Sequence, residues 1–295
     1  MSRIRDARKS LDMEAGALHG VDAELERLAE SPPVGPVAVA DVAEESSGEL
    51  KTPLAQLTDA TLSDPLLSAC RRSKWVLDPE TLLSFDGKEE AHGTEEFRSL
   101  RSRLYRVRKE QHLKSILISS ALPKEGRSFV AANLAQVLAL QPDCRVLLID
   151  ADLRNPRLHV AFGTSAKPGL SEYLLQEVDE FAIMQRGQAE GLFLIPSGRL
   201  VSGPTEVVAN GRLKSLIDQI ESLFDWIIVD SPAAVPVSDA CLLANSCDGV
   251  LLVVRSHSTP FDIVRKARGR FREESLVGVV LNTIETKAPP RSQRY

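Results

Sequence analysis

The segment ALPKEGRS at residues 121–128 has the residue types and spacing of a turn that binds phosphate. It follows an apolar run and precedes a helical pattern, so backbone N–H groups from Glu125 to Ser128 are expected to point at phosphate oxygens. Gly126 lets the backbone approach an anion closely, and Ser128 is placed to bring its hydroxyl to Mg²⁺. The residues predicted to contact a bound nucleotide here are Ala121, Pro123, Lys124, Glu125, Gly126, Arg127, Ser128 and Phe129.

Two residues of this segment depart from the usual pattern of such turns. Arg127 stands where a lysine is usual, and its guanidinium is longer, planar and bidentate, whereas a lysine is a compact point charge. Lys124 stands where a glycine is frequent, so the turn loses flexibility and gains a second cation. The alternative is that the segment is a turn that opens a helix and has lost its nucleotide site.

Three aspartates end two apolar segments, VLLIDAD and WIIVDSP. Asp150 and Asp152 lie two residues apart, so in a strand they point to the same face. We predict that Ser128, Asp150 and Asp230 hold Mg²⁺, mainly through waters. Arg127, Asp150 and Asp152 are the predicted catalytic residues, because one aspartate can orient or deprotonate an attacking hydroxyl. For any single one of these aspartates, the alternative is a carboxylate that only caps a turn.

Asn282 ends the last apolar segment, VGVVLN. Its side-chain amide offers both a donor and an acceptor, which suits the edge of an adenine ring. We therefore predict a nucleotide contact for Asn282, with a turn-forming asparagine as the alternative.

Apolar segments of strand length alternate with helical patterns from residue 93 onward. Continuously apolar strands indicate a parallel sheet that is covered on both faces, and ligands of such sheets bind at the carboxyl ends of the strands. We predict an α/β fold with a mostly parallel sheet and helices on both faces. The predicted strands are 115–121, 145–152, 191–198, 226–232, 249–256 and 277–285, and the predicted helices are 93–111, 128–141, 169–176, 204–224 with a break near Gly211, 239–247 and 259–275.

Four regions are predicted along the chain. Residues 1–30 carry an amphipathic helix, because Ile4, Leu11, Leu18, Leu25 and Leu28 recur at helical spacing among charges. Residues 31–74 are rich in Pro, Ala, Glu and Ser, which is typical of a flexible linker. A nucleotide-binding domain at 75–286 and a flexible C-terminal tail at 287–295 complete the prediction.

Composition excludes several classes of function. The formal net charge of −5 argues against nucleic-acid binding as the main task, because such proteins usually have a basic surplus. The four cysteines have no spacing typical of a metal site or a disulfide framework. The first residues lack the apolar core of a secretory signal, and no apolar run has the roughly 18 residues of a membrane helix. We expect a cytoplasmic protein without a transmembrane segment.

Taken together, the ordered motifs resemble the catalytic domain of the bacterial tyrosine (BY) kinases, the autokinases of polysaccharide production that are related to partition and septum-site ATPases. The resemblance covers about two-thirds of the chain, from Glu95 to Glu285. Its motifs are SALPKEGRSFVAANLA, VLLIDADLRNPRLH, IIVDSPAAVPVSDA and GVLLVVRSHSTP. The opening MSRIRDARKS is similar to the N-terminal peptide of freestanding members.

This resemblance implies a P-loop fold of the partition-ATPase type and a non-specific protein-tyrosine kinase that uses ATP and Mg²⁺. It also implies autophosphorylation of tail tyrosines, regulation of capsular or exopolysaccharide biosynthesis and export, and a membrane polysaccharide co-polymerase as activator. Such a partner would place the protein peripherally at the inner membrane. Carried over by position, the phosphate and metal contacts are Gly126, Arg127 and Ser128, and the residues for magnesium and catalysis are Asp150, Asp152 and Asp230.

Two further features follow from the resemblance. In the family, an E-x2-R-x2-R helix joins subunits into a ring, and Glu95, Arg98 and Arg101 keep this spacing here. A solvated helix face is the alternative for these three residues. Family members usually end in a tyrosine cluster, whereas this tail offers Tyr295 alone as the phosphoacceptor.

Three functions remain open from the sequence. The first is an active autokinase. The second is a degenerate nucleotide-binding subunit that regulates or scaffolds the same machinery, since Arg127 replaces the lysine. The third is a partition-type ATPase switch, against which Leu122 stands where that class carries its signature lysine.

Overall fold

The computed structural model describes residues 70–85 and 93–282. Several predicted regions lie outside these residues, namely the amphipathic helix of 1–30, nearly all of the 31–74 linker, the tail at 287–295 and its Tyr295. Residues 70–74, which the sequence assigns to the linker, belong to the folded part, where Cys70 is buried.

Eight strands of the described residues form one sheet in the order β1-β4-β5-β3-β6-β2-β7-β8. All neighbouring strands are parallel except β4 and β5, which are antiparallel. The strands are β1 Arg71–Arg72, β2 Ser115–Ser120, β3 Val146–Asp150, β4 Gln185–Arg186, β5 Leu192–Ile195, β6 Trp226–Asp230, β7 Gly249–Arg255 and β8 Leu276–Asn282.

Helices cover both faces of this sheet. They are, among the described residues, α1 Thr94–Glu110, α2 Arg127–Ala139, α3 Leu158–Ala161, α4 Leu170–Leu174, α5 Pro204–Ala209, α6 Arg212–Ile220, α7 Asp239–Ala244 and α8 Phe261–Arg268. The apolar side chains of α1, α2 and α3 pack on one face, and those of α4 to α8 pack on the other. No described helix combines the length and the hydropathy that a membrane crossing requires.

Alternation along the central strands builds two cores from one sheet. In β6, Ile227 and Val229 face one core, whereas Trp226 and Ile228 face the other. Both sets are fully buried, which explains why these strands are continuously apolar in the sequence.

The α/β prediction with a mostly parallel sheet is confirmed. The predicted break near Gly211 is also confirmed, because Gly211 has φ 76° and separates α5 from α6. Strands β1 and β4 have only two residues each, which is too short for a hydrophobic period, and the sequence does not predict them.

Strand register brings the predicted carboxylates to the same edge. Asp150 at the end of β3 is the direct neighbour of Asp230 at the end of β6. Asp230 is also aligned with Ile118 in β2, two residues before that strand ends at the phosphate-binding turn. The carboxyl edge of the sheet is therefore where the candidate site lies.

Candidate functional site

The predicted phosphate-binding turn lies between β2 and α2. Two of its residues have a left-handed backbone, Lys124 with φ 67° and Gly126 with φ 95°. Gly126 immediately precedes α2, so the N–H groups of the first helical turn are directed to this edge. A side chain at position 126 would be strained by this φ, and its Cβ, 2.0 Å from the amide nitrogen of Asn282, would force the Asn282 side chain to move. The backbone has the shape that a phosphate cradle needs.

The buried carboxylate of Glu125 holds the turn in this shape. One oxygen accepts a hydrogen bond from the N–H of Leu122 at 2.6 Å. The other accepts from the N–H of Arg255 at 3.3 Å and from the hydroxyl of Thr259. Because Arg255 is the last residue of β7 and Thr259 lies in the loop after it, the carboxylate ties the turn to that end of β7. The nucleotide contact predicted for Glu125 is therefore left to its backbone N–H.

Asn282, at the end of β8, supports the turn from another side. Its amide nitrogen donates a hydrogen bond to the backbone oxygen of Glu125 at 2.9 Å. The sequence predicts an adenine contact for Asn282, and the structure leaves the amide oxygen for such a contact. That contact stays a prediction.

Three other predicted contact residues flank the turn. Ala121 is buried, and its backbone oxygen accepts a hydrogen bond from Val235 at 3.3 Å. Pro123 is exposed. The ring of Phe129 packs against Phe97 in an edge arrangement, with centroids 5.8 Å apart.

Arg127 forms a buried ion pair. One terminal nitrogen lies 2.8 Å from Oδ2 of Asp152, and the other donates to the Ser120 hydroxyl at 3.2 Å. The side chains of Arg127 and Asp152 are only 12% and 3% exposed. Asp152 also accepts hydrogen bonds from the N–H groups of Arg154 and Asn155. Two of the predicted catalytic residues are thus brought together, and their charged groups bind each other.

Asp150 and Asp230 lie side by side at the ends of β3 and β6. Both are fully buried. One oxygen of Asp150 accepts hydrogen bonds from the N–H groups of Arg157 and Leu158, which fixes the start of α3. The second oxygen of Asp150 and both oxygens of Asp230 have no hydrogen-bond partner within the described residues.

The surroundings of these two carboxylates disfavour their charged forms. Burial, with the nearby charge of Asp230, raises the pKa of Asp150 well above its usual value. Burial also raises the pKa of Asp230 to about 7, against the opposing effects of the Arg127 guanidinium and the Ser128 hydroxyl. Ser128 lies close to Asp230, but the hydroxyl does not donate a hydrogen bond of ordinary geometry. A divalent cation would remove the penalty on both charges.

The donor set fits Mg²⁺ bound together with a phosphate. Within residues 70–85 and 93–282, no three His, Cys, Asp or Glu side chains converge into an all-protein cage. Mg²⁺ commonly takes one or two carboxylates and completes its shell with waters and phosphate oxygens. The unpartnered oxygens of Asp150 and Asp230, with Ser128 nearby, match this pattern.

A second cluster of charged and polar residues lies at this edge, and the sequence analysis does not predict it. Arg154 pairs with the buried Asp239 at 2.8 Å and donates to the Thr205 hydroxyl at 2.8 Å, and Thr205 in turn donates to Asp239 at 2.7 Å. The three residues join the loop after β3 to the first turns of α5 and α7. The available signal was that Arg154 and Asp239 lie in the motifs ADLRNPR and VPVSDA.

The predicted intersubunit residues lie on α1. Glu95 and Arg98 form an exposed ion pair with each other. Arg101 donates to the backbone oxygen of Val137 at 2.9 Å, near the end of α2. Glu95 and Arg98 are thus accessible to a partner, whereas Arg101 is partly used within the chain.

Comparison with known proteins places this chain in a family. The family model described as "Cellulose biosynthesis protein BcsQ" matches residues 115–277. The tyrosine-protein kinase YwqD of Bacillus subtilis is 34% identical over 191 residues, which cover 64% of this chain and 80% of YwqD. The tyrosine-protein kinase ptk of Acinetobacter johnsonii is 31% identical over 193 residues, or 65% of this chain, but the chain spans only 26% of that protein.

Solved structures agree with these relatives. The kinase domain of the Escherichia coli tyrosine kinase ETK has a TM-score of 0.63 and 31% identity, covering 68% of this chain and 79% of that domain. The septum site-determining protein MinD of Pyrococcus horikoshii, solved with Mg-ADP, has a TM-score of 0.50 and 21% identity, covering 60% of this chain and 74% of MinD. At that identity the likeness to MinD concerns the fold.

Proposed function

The chain belongs to the bacterial tyrosine-protein kinases and to the family described by the BcsQ model, and from this premise we propose that it is an ATP- and Mg²⁺-dependent tyrosine autokinase. The observation that carries the proposal is the buried pair of Asp150 and Asp230, whose unpartnered oxygens lie at the edge where the phosphate-binding turn opens. Mg²⁺, when bound, would neutralise the charge of the nucleotide phosphates.

The chain's own residues supply three parts of the proposed reaction. The backbone N–H groups from Glu125 to Ser128 bind the phosphates at the start of α2. The carboxylates of Asp150 and Asp230, with the hydroxyl of Ser128, hold the metal. One aspartate at this edge, Asp150 or Asp152, would take the proton of an acceptor tyrosine as it attacks. The tyrosine oxygen then bonds to the transferred phosphorus as the bond to the ADP oxygen breaks.

The wider setting belongs to the same proposal. Tyr295 is the acceptor, and Glu95, Arg98 and Arg101 join subunits into a ring, as the family resemblance implies. A membrane polysaccharide co-polymerase activates the protein and holds it at the inner membrane. The output is control of capsular or exopolysaccharide production, which is consistent with relatives such as the Klebsiella pneumoniae protein described as "Putative tyrosine-protein kinase in cps region".

A second candidate is favoured by one observation. The guanidinium of Arg127 is occupied by Asp152 and Ser120, whereas an active kinase of this class needs a cation at the phosphates. In this candidate the chain binds nucleotide and acts as a regulatory or scaffold subunit without transferring phosphate.

Incubation of the purified full chain with labelled Mg-ATP separates the two candidates. We expect phosphate on Tyr295, mapped by mass spectrometry, and its loss in both Asp150→Ala and Tyr295→Phe. Nucleotide binding without any phosphotyrosine, alone and with the cytosolic tail of a co-polymerase, would establish the scaffold function instead. Hydrolysis of ATP without tyrosine transfer would favour a partition-type switch.

A further inference from the structure

Arg127 is poorly placed to act as the mobile cation of the phosphate site. Both terminal nitrogens are engaged, one by Asp152 at 2.8 Å and the other by Ser120 at 3.2 Å. The pair is buried, so releasing Arg127 would leave the carboxylate of Asp152 without its counter-charge. The guanidinium therefore serves to fix Asp152 more readily than to follow a phosphate.

Lys124 is the other cation of the turn, and its environment is the opposite. It is exposed, and it forms no hydrogen bond or ion pair with any residue that the structure describes. It stands two residues before Gly126, the residue at which the backbone opens into α2. Its ammonium is thus without a partner among the described residues, on the turn whose N–H groups would bind phosphate.

The backbone of Lys124 has an unfavourable conformation for a lysine. Its φ of 67° lies in the left-handed region, where glycine is favoured because it has no Cβ. The neighbouring Glu125 fixes this conformation through its hydrogen bonds to Leu122, Arg255 and Thr259. Strain of this kind is typical of functional positions, where the side chain gives something that glycine cannot.

We propose that Lys124 supplies the positive charge that contacts the nucleotide phosphates, and that Arg127 is a positioning residue that holds Asp152. This assignment rests on the proposed nucleotide binding and deepens it. In this turn, the phosphate contact that a lysine at position 127 usually makes would come from the flexible lysine at position 124. The planar cation at position 127 would be fixed by its carboxylate partner. An ammonium on a flexible stem suits the contact with phosphate, whereas a guanidinium suits a carboxylate.

Lys124→Gly tests the proposal, because stability and binding should respond in opposite directions. Relief of the strained φ should leave the unfolding temperature of the nucleotide-free protein unchanged or higher. Loss of a charge-assisted contact should raise the Kd for Mg-ADP about tenfold. Lys124→Arg, which keeps the charge, should retain most of the affinity. Lys109→Ala, at the exposed end of α1, removes a positive charge elsewhere and should change neither quantity.

Several results would overturn the proposal. These are an unchanged Kd in Lys124→Gly, a joint fall of affinity and unfolding temperature in that variant, and binding by Lys124→Arg as weak as that of Lys124→Gly. If the unmodified protein takes up no Mg-ADP, the proposed function itself fails. That outcome is distinguishable, because every comparison above starts from measurable binding by the unmodified protein.

Discussion

Arg127 and Asp152 form a buried pair of opposite charges, whereas Asp150 and Asp230, at the same edge of the sheet, form a buried pair of like charges. In the first pair each charge neutralises the other, so neither side chain needs a further counter-ion. In the second pair three carboxylate oxygens have no partner within the described residues. Folding alone does not favour such a pair, since unpaired buried charge is costly. The difference supports the proposals that Arg127 positions Asp152 and that Asp150 and Asp230 would hold a divalent cation.

Breaking the opposite-charge pair should have the largest effect. Arg127→Ala leaves the carboxylate of Asp152 buried without its counter-ion, and we expect the free energy of unfolding to fall by about 3–5 kcal/mol. Urea unfolding of the nucleotide-free protein measures this change. Arg103→Ala, an exposed position on α1, is the matched control and should change stability by less than about 0.5 kcal/mol.

The double variant Arg127→Ala/Asp152→Asn sharpens the test. It removes both charges, so it should be more stable than Arg127→Ala alone. If the double variant is as unstable as the single one, the effect of Arg127 arises from lost packing and not from the ion pair.

The like-charge pair should show itself in the pH dependence of stability. Because the pKa of Asp230 is raised to about 7 in the folded state, from about 3.9 in the unfolded chain, the folded state binds more protons between these values. The contribution of Asp230 to the free energy of unfolding therefore falls as the pH rises from 4 to 7, by up to about 1.4 kcal/mol per unit. Above pH 7 the penalty is fully present.

Asp230→Asn removes this titration, together with the charge that helps to raise the pKa of Asp150, so it reports on the pair. Position 230 cannot ionise in the variant, so its stability relative to the unmodified protein should increase steadily between pH 4 and pH 7, as urea unfolding at each pH would show. If the difference in stability between the variant and the unmodified protein does not change with pH, burial does not disfavour the charged form of Asp230.

Asn282→Ala tests a neutral contact beside the two charged pairs. Loss of its hydrogen bond to Glu125 should lower the free energy of unfolding by about 1 kcal/mol and weaken Mg-ADP binding several-fold, because the turn loses one support. Asn210→Ala removes two side-chain bonds away from the turn, one to the backbone oxygen of Leu174 and one from the N–H of Arg212. Calorimetry should show at least as large a loss of stability for Asn210→Ala, but weaker binding only for Asn282→Ala.

The smallest effect on stability is expected for an exposed ion pair. Glu95→Ala removes the partner of Arg98 on the surface of α1 and should change the free energy of unfolding by about 0.5 kcal/mol at most. If α1 joins subunits as proposed, light scattering should nevertheless show a smaller particle. Glu96→Ala, its exposed neighbour, should leave the particle size unchanged. Equal sizes for all three proteins would contradict the proposed role of Glu95.

Much of this arrangement could be predicted from the sequence, because it depends on residue types and spacings within short segments. The continuous apolar runs of β3 and β6 indicate buried parallel strands, and such strands place Asp150 and Asp230 at a common edge. The glycine at 126 and the hydroxyl at 128 indicate the phosphate-binding turn in the same way.

The choice of partners could not be predicted, because it depends on residues far apart in the chain. Arg127 meets Asp152 across 25 positions, and Asn282 meets Glu125 across 157. Nothing near either residue in the sequence distinguishes a phosphate contact from a carboxylate contact, or an adenine contact from a backbone contact. The pairing of Arg154 with Asp239, 85 positions away, could not be predicted for the same reason.

Calorimetric titration of ADP into the full chain, with and without Mg²⁺, tests the central claim most directly. If Asp150 and Asp230 await a divalent cation beside a bound phosphate, Mg²⁺ should strengthen ADP binding at least about tenfold, and Asp230→Asn should abolish that gain. Binding of ADP that is indifferent to Mg²⁺, or no uptake of nucleotide at all, would contradict the account.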